Sequence, residues 1–522
     1  MAIAGKGCAG DFASVIGYDS RVMLLNQIAD DALQQSPDKT AILCGSRRLT
    51  YRRFVAAADH LAADLVGRGC RHGDRVALWL PNCAEALVAY FACFRAGFIA
   101  VALDFRYRPD EVAYCLERAG ATVIVTLGET WRALVGARHI ANVREVLCVD
   151  ENDWLSAILA AAPTAGVHSH PNDVDRLSTV FFTSGTTSRP KGVTHTSRRT
   201  VSRIDKFIEE ATLTADTVSL VPISLMKPLA FQLLAMAVLR VGGTVVLLRQ
   251  FTAEAFWRAF LDQPQTSLLA LTPNLLAAAL AHPLAPSASE RPQALWLIGG
   301  DRLPPALHAT FRSVLGYEPV ELCGMTETGP YAMNPPSGEK RVGSVGVPPI
   351  GVALRLVDAG ENDVPPGEVG QVIVRTPDTM VGYWNDTLAT FEVLRDGWMR
   401  TGDLARADEN GYLWLEGRLR DLIVRDGSNI APAEIEEVAV GEPNVRAAAA
   451  VGVPDPPHGD AVHLFVVPAS EERDGLEAQL WTRLKQSLRA VAVPSAIHLL
   501  ADLPLNAAGK VDKNRLRERI AG

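Results

Sequence analysis

Ten consecutive residues, Thr183-Ser184-Gly185-Thr186-Thr187-Ser188-Arg189-Pro190-Lys191-Gly192, concentrate hydroxyls, glycines and two cations on one short stretch. They follow the apolar run 177–182, a pattern that predicts a strand delivering a loop. Small residues let the backbone approach an anion closely, N–H and O–H groups donate to it, and Lys191 adds charge. Each charge-assisted hydrogen bond of this kind is worth roughly 1.5–3 kcal/mol, so a few of them hold a triphosphate. The spacing is not that of a Walker A loop, because Gly185 is not followed at the right offset by Gly-Lys-Ser/Thr. The plain alternative for the stretch in isolation is a Ser/Thr/Gly surface turn.

Three later segments stand out: Cys323-Gly324-Met325-Thr326-Glu327, Thr401-Gly402-Asp403 followed by Gly417-Arg418, and Gly509-Lys510 near the end. To these add Leu49-Thr50-Tyr51, Gly73-Asp74-Arg75-Val76, Pro432-Ala433-Glu434-Ile435-Glu436 and Val453-Pro454-Asp455. In this order, almost end to end, the chain resembles the adenylate-forming superfamily of acyl-CoA synthetases, stand-alone adenylation domains and luciferases. The resemblance implies that a carboxylate attacks the α-phosphate of ATP, releasing pyrophosphate and leaving an acyl-adenylate. A thiol then attacks the activated carbonyl. Two anions must meet in the first step, so the protein has to neutralise charge and hold an in-line geometry.

The same resemblance implies roles. Thr183, Ser184, Gly185, Thr186, Thr187 and Lys191 would hold the β- and γ-phosphates, with Thr186 among the catalytic groups. Ser188 stands where the family usually has glycine, at a cost of about 1 kcal/mol if the position needs positive φ. Glu327 would ligate Mg²⁺, which takes one or two carboxylates plus phosphate oxygens, and Thr326 would donate to the α-phosphate. The alternative for this pair is the N-cap of a helix. Asp403 suits the ribose hydroxyls and Arg418 adds a fixed cation; otherwise they are a turn residue and a surface charge. Lys510 would sit between the carboxylate and the α-phosphate, gaining about 4 kcal/mol per close pair at an effective dielectric of ~20. Arg420 falls at the family's hinge. Rotation there would withdraw Lys510 and bring Gly427-Ser428-Asn429 over the site, so one fold runs both half-reactions. The plain alternative for Arg420 is a solvated hairpin charge.

Two departures bear on specificity. Cys323 occupies a position where relatives offer an aromatic ring to adenine, and cysteine cannot stack. Either ATP affinity is lower or the base is gripped elsewhere, for instance along Gly299-Gly300-Asp301 and Gly324. The stretch that shapes the acid pocket reads Pro222-Ile223-Ser224-Leu225-Met226-Lys227-Pro228-Leu229-Ala230-Phe231 and contains no acid. A free α-amino acid would bring an unpaired ammonium here at several kcal/mol. The expected substrate is therefore an apolar or aromatic acid without that amine, bound by Met226, Lys227, Phe231, Gly299 and Gly324. Lys227 either pairs a second anionic group or, as we expect, snorkels to solvent.

Coenzyme A and a carrier-protein phosphopantetheine end in the same thiol, so the motifs leave the acceptor open. The segment 432–436 tilts towards CoA ligases and away from an acyl or peptidyl carrier protein. Two other readings stand beside the acid–thiol ligase: a stand-alone enzyme loading an amino acid onto a carrier, and a non-catalytic nucleotide-binding relative.

The elements that must position these residues are legible in outline. With 522 residues, more than one domain is expected. Apolar residues make up 48% and charged residues 21%, as in soluble globular proteins. Acidic residues outnumber basic ones, 59 to 51, which argues against nucleic-acid binding. No stretch is apolar enough to span a bilayer, and the first 17 residues lack a signal-peptide core. Eight cysteines without a C-x-x-C pair fit a reducing cytoplasm, with neither a disulfide framework nor a zinc site.

Helical patterns at 51–68, 84–95 and 109–118 alternate with strand patterns at 75–80, 99–103 and 122–126, which implies a largely parallel sheet covered on both faces. Further buried strands are expected at 243–248 and 294–298. After Gly343 short β segments take over, with hairpin turns at Asn410-Gly411 and Asp426-Gly427. The last hundred residues read helix 432–440, strands 447–452 and 462–467, and helix 475–491. The expected class is α/β. A large N-terminal domain, residues 1–419, combines doubly wound sheets with a β-rich subdomain. A small mobile α+β domain, residues 420–522, carries Lys510.

Overall fold

The computed structural model describes residues 3–4, 24–138, 140, 142–151, 154–160, 174–183, 189–286, 293–470, 475–505 and 511–521. Ser184, Gly185, Thr186, Thr187, Ser188 and Lys510 lie outside the described residues. The chain forms two compact units, one of Ala2–Leu354 with Val374–Met399, the other of Arg355–Ile373 with Arg400–Gly522.

Among the described residues the first unit holds two sheets. The order in an eight-stranded sheet is Gly329–Met333, Val320–Met325, Leu295–Ile298, Thr266–Leu271, Val218–Val221, Thr244–Leu247, Thr40–Cys44, Arg47–Thr50. A seven-stranded sheet runs Gly382–Tyr383, Lys191–Thr196, Leu177–Thr183, Ile99–Ala102, Arg75–Leu78, Val123–Thr126, Glu145–Cys148. Inner neighbours are parallel, and antiparallel pairs close every edge except that of Glu145–Cys148, which pairs parallel with Val123–Thr126. Parallel strands covered on both faces read as unbroken apolar runs. Ile99–Ala102 and Val123–Thr126 are buried at every position.

One hydrophobic cluster joins residues of both sheets to the helices Tyr51–Gly67 and Ala84–Ala96 and to a π-helical turn, Leu229–Met236. Tyr90 and Phe231 stack inside it with centroids 4.1 Å apart. Strand periodicity sends Leu268 and Ala270 into this cluster and Leu269 and Leu271 into a second one, around Trp257 and Trp296. The expected helices 51–68, 84–95 and 109–118 appear as Tyr51–Gly67, Ala84–Ala96 and Pro109–Ala119.

In the second unit Trp398–Ala407 pairs antiparallel with Leu413–Arg418, a hairpin turning at Asn410-Gly411 as expected. Ile423–Arg425 and Ser428–Ile430 pair through Asp426 and Gly427, whose φ values of 49° and 73° suit a type I′ turn. Helices Pro432–Val440 and Leu476–Ser487 bury Ile435, Ala439, Leu480 and Leu484 against Leu464 and Val466 of a five-stranded sheet. The helix expected over 475–491 is shorter, ending at Ser487 before the 3₁₀ turn Ala490–Ala492. Pro494 holds Val493 extended and the chain is already extended at Leu488, so the helix cannot run on.

Candidate active site

Leu177–Thr183 and Lys191–Thr196 pair antiparallel, which sets Thr183 opposite Lys191 at the two ends of the hydroxyl-rich loop. The strand Gly382–Tyr383 lies along the other side of Lys191–Thr196. It places the Tyr383 ring 5.1 Å from the Lys191 ammonium, and the Tyr383 hydroxyl donates to Glu327 Oε1 at 2.8 Å. Burial, together with the charge of Glu327, pushes the Tyr383 phenol far above its ordinary value, so it stays a donor. Sequence reasoning missed Tyr383. It bridges Lys191 and the metal-ligand candidate Glu327.

Glu327 does not open a helix. It sits in the turn between Val320–Met325 and Gly329–Met333, buried to 7% exposure. Two glycines make that turn possible. A Cβ on Gly324 would fall 2.6 Å from the Gly329 carbonyl oxygen, and one on Gly329, at φ +76°, would fall 2.5 Å from Arg203 Nε. His195 fixes the preceding residue, its Nε2–H donating to the Thr326 carbonyl at 2.9 Å. Burial, with Arg203 nearby, holds the imidazole well below its ordinary value and hence neutral. Thr183, Lys191, Thr326 and Glu327 are thus held by one set of contacts.

Cys323 directs its thiol to the Tyr331 hydroxyl at 2.9 Å, with the Tyr331 ring buried behind it. Gly299 follows the strand Leu295–Ile298, and a Cβ there would meet Leu322 at 2.9 Å. Gly300 has φ +88°, and Asp301 is exposed, its Oδ1 accepting from the Arg302 N–H. These positions lie at the carboxyl ends of parallel strands, where open α/β sheets bind ligands.

The stretch 222–231 departs from expectation at Lys227. Its ammonium does not simply reach into water but lies 3.6 Å from Asp104 Oδ2, at 37% exposure against 5% for the carboxylate. Asp104 also accepts from Arg106 at 3.0 and 2.8 Å. Burial opposes its ionisation, but Arg106 and Lys227 outweigh that and hold it below the usual carboxylate value. Tyr107 donates to the Phe182 carbonyl at 2.9 Å, which ties this cluster to the end of the strand carrying Thr183. Met226 and Phe231 are closed into the core, Met226 beside the Tyr90 hydroxyl. They can shape an acid pocket only from behind.

In the second unit Asp403 and Arg418 are register partners, with Arg418 Nε 2.7 Å from Asp403 Oδ1. The Asp403 N–H donates to Thr401 Oγ1, and Thr401 in turn donates to the Val372 carbonyl, so the carboxylate is fixed on the sheet. Arg420 occupies the short turn Leu419–Asp421, half-exposed and 3.8 Å from Asp421. Asp421 also faces Arg517 of the last helix at 3.6 Å. Lys510 lies outside the described residues.

Among the described residues no three His, Cys, Asp or Glu side chains gather to hold a metal ion. A lone carboxylate such as Glu327 fits Mg²⁺ that arrives with phosphate oxygens, since that ion asks little more of the protein. Among the described residues no helix is long and apolar enough to cross a membrane.

Residues 29–384 match the AMP-binding enzyme family and residues 434–510 its C-terminal domain. A feruloyl-CoA synthase from Amycolatopsis sp is 34% identical over 493 residues, spanning 93% of this chain and 97% of the relative. A fatty acid–[acyl-carrier-protein] ligase from Streptomyces coeruleorubidus is 31% identical across 97% of this chain and 98% of its own. ATP-bound MatB from Rhodopseudomonas palustris superposes with a TM-score of 0.87 at 28% identity, covering 95% of this chain and 99% of that one. The chain belongs to the AMP-binding enzymes, as an AMP-forming acid–thiol ligase that uses ATP, Mg²⁺ and CoA.

Proposed function

We propose that this ligase activates an apolar or aromatic carboxylic acid lacking a free α-amino group and passes the acyl group to CoA. One observation carries the substrate class. The carboxylate that meets the stretch 222–231, Asp104, is already held by Lys227 and Arg106, which leaves it unable to greet a substrate ammonium. The stacked Tyr90 and Phe231 rings give the neighbouring core an aromatic wall, and the feruloyl-CoA synthase relative is named for an aromatic acid.

In this reading Thr183, Ser184, Gly185, Thr186, Thr187 and Lys191 hold the β- and γ-phosphates. Glu327 takes Mg²⁺, which supplies charge neutralisation when bound. Thr326 donates to the α-phosphate, while Gly299, Gly300, Asp301, Cys323 and Gly324 border the base. Asp403 accepts from the ribose hydroxyls beside Arg418. Lys510 steadies the carboxylate against the α-phosphate, and a hinge at Arg420 separates domains 1–419 and 420–522 for the thiol step. The enzyme works in the cytoplasm, where its described cysteines, all free, stay reduced.

ATP–pyrophosphate exchange across aryl, alkyl, dicarboxylic and α-amino acids tests the substrate class. Aryl or alkyl acids are expected to drive exchange, and a preference for an α-amino acid overturns the reading. A second acceptor, the phosphopantetheine of a carrier protein, is favoured by the carrier-protein ligase relative. Offering CoA and a holo carrier protein, with its phosphopantetheine thiol free, to the same adenylate decides between them.

A further inference from the structure

Helix Ser197–Ala211 sets Arg199, Arg203 and Lys206 on one face, three and four residues apart. All three grip the segment 378–380. Arg199 donates to the Thr379 and Met380 carbonyls, Arg203 Nη2 to the Asp378 carbonyl at 2.8 Å, and Lys206 Nζ to Asp378 Oδ2 at 3.0 Å. That segment and the strand Gly382–Tyr383 just after it each hold the metal-ligand candidate once. The Met380 N–H donates to the Glu327 carbonyl at 2.6 Å, and Tyr383 donates to its carboxylate.

Arg203 reaches in a second direction. Its Nη1 donates at 2.7 Å to Oε1 of Gln232, a fully buried residue on the π-helical turn Leu229–Met236, next to Phe231. Its Nε lies under Gly329, at the foot of the Glu327 turn. Arg203 is only 4% exposed, and its Nε and the Gln232 Nε2 are buried atoms with no hydrogen-bond partner among the described residues. Burial pushes the guanidinium down to about 10, against the charges of Asp378 and Glu327. A buried cation with spare donors and two discrete tethers transmits small shifts, because its neighbours cannot move independently without leaving it unsatisfied. The π-turn is a suitable element to shift, since one extra residue per turn relaxes by a single-residue register change.

We infer that the Arg203–Gln232 pair couples the acid-binding element to the turn carrying Glu327, so that acid and metal–nucleotide bind with linked affinities. The inference rests on the acid pocket lying along 222–231. Arg203 and Gln232 act here as positioning residues, through Glu327 and the π-turn. By linkage, each ligand must tighten the other by the same factor, on the order of 5-fold or more.

The test uses α,β-methylene-ATP with Mg²⁺, which cannot form an adenylate, and ferulic acid as the acid probe. Each dissociation constant is measured with and without saturating partner ligand. Wild type is expected to show reciprocal tightening. Gln232→Leu should bind each ligand alone but lose the tightening, and Gln232→Glu, which keeps the acceptor, should retain it. Arg203→Lys, which keeps the charge but not the fork, should also lose it, with thermal melting confirming that each variant is folded. Unchanged tightening in folded Gln232→Leu and Arg203→Lys, or its absence in wild type while both ligands bind, overturns the coupling. Loss of ferulate binding alone, in wild type, counts against the proposed acid class; the coupling is then read with the acid that best drives pyrophosphate exchange.

Discussion

The Tyr383 hydroxyl makes one hydrogen bond to Glu327 while its ring faces the Lys191 ammonium. A bond to a charged acceptor is worth about 1.5–3 kcal/mol, so Tyr383→Phe should slow pyrophosphate exchange by roughly 10-fold or more. The Mg²⁺ concentration for half-maximal exchange should rise as well, because Glu327 loses its orientation. A kcat loss with no change in Mg²⁺ dependence would place Tyr383 in plain structural support. Glu327 stood out as a candidate because its neighbours Gly324 and Thr326 form a motif. Tyr383 was not, because it lies 56 residues further on and the pair Gly382-Tyr383 has no chemical signature of its own. Lys227 was half legible. Its charge was plain, but its partner Asp104 stands on a different strand end, and only the folded sheets bring the two to 3.6 Å.

Among the elements, the hairpin of Val320–Met325 and Gly329–Met333 has no room for a side chain at its two glycines. Gly329→Ala forces a side chain into a left-handed conformation, at roughly 1–2 kcal/mol, and onto the Arg203 guanidinium. Lower thermal stability and an exchange rate down at least about 10-fold are expected together; normal exchange would show that the turn tolerates a Cβ. On the same strand, Glu321 meets buried His308 at 3.1 Å, and Glu318 meets the other ring nitrogen. Burial works against the charged imidazole, yet the two carboxylates prevail and raise it above 6.5, while burial raises Glu321 too. Both groups hold protons more tightly when folded. The His308 contribution is complete below its unfolded value of about 6.5 and fades as pH rises through its elevated folded one, whereas that of Glu321 already fades above its unfolded value of about 4.5. Melting temperature should therefore fall as pH rises above about 6.5, with a shallower slope in His308→Gln. The parallel strands and the Gly411 hairpin were readable from unbroken apolar runs and turn residues. The π-turn Leu229–Met236 was not, since all its residues but Gln232 are apolar and they show no period to read.

At the scale of the whole molecule, the order of weak motifs identified the family although no single one did, and the family matches cover both ends of the chain. The two half-reactions offer a clean separation. Lys510→Ala should abolish acid-dependent pyrophosphate exchange yet leave thioester formation from supplied acyl-adenylate near wild type; exchange at the normal rate would reduce Lys510 to a tail charge. Sequence reading drew one boundary near residue 420. It had no means of seeing that Arg355–Ile373 packs with Arg400–Gly522, because sheet partnership across a gap leaves no local pattern. The backbone passes between the units at Leu354–Arg355, Ile373–Val374 and Met399–Arg400. A single protease nick at any one of these crossings therefore leaves the two units still joined by backbone at the other two.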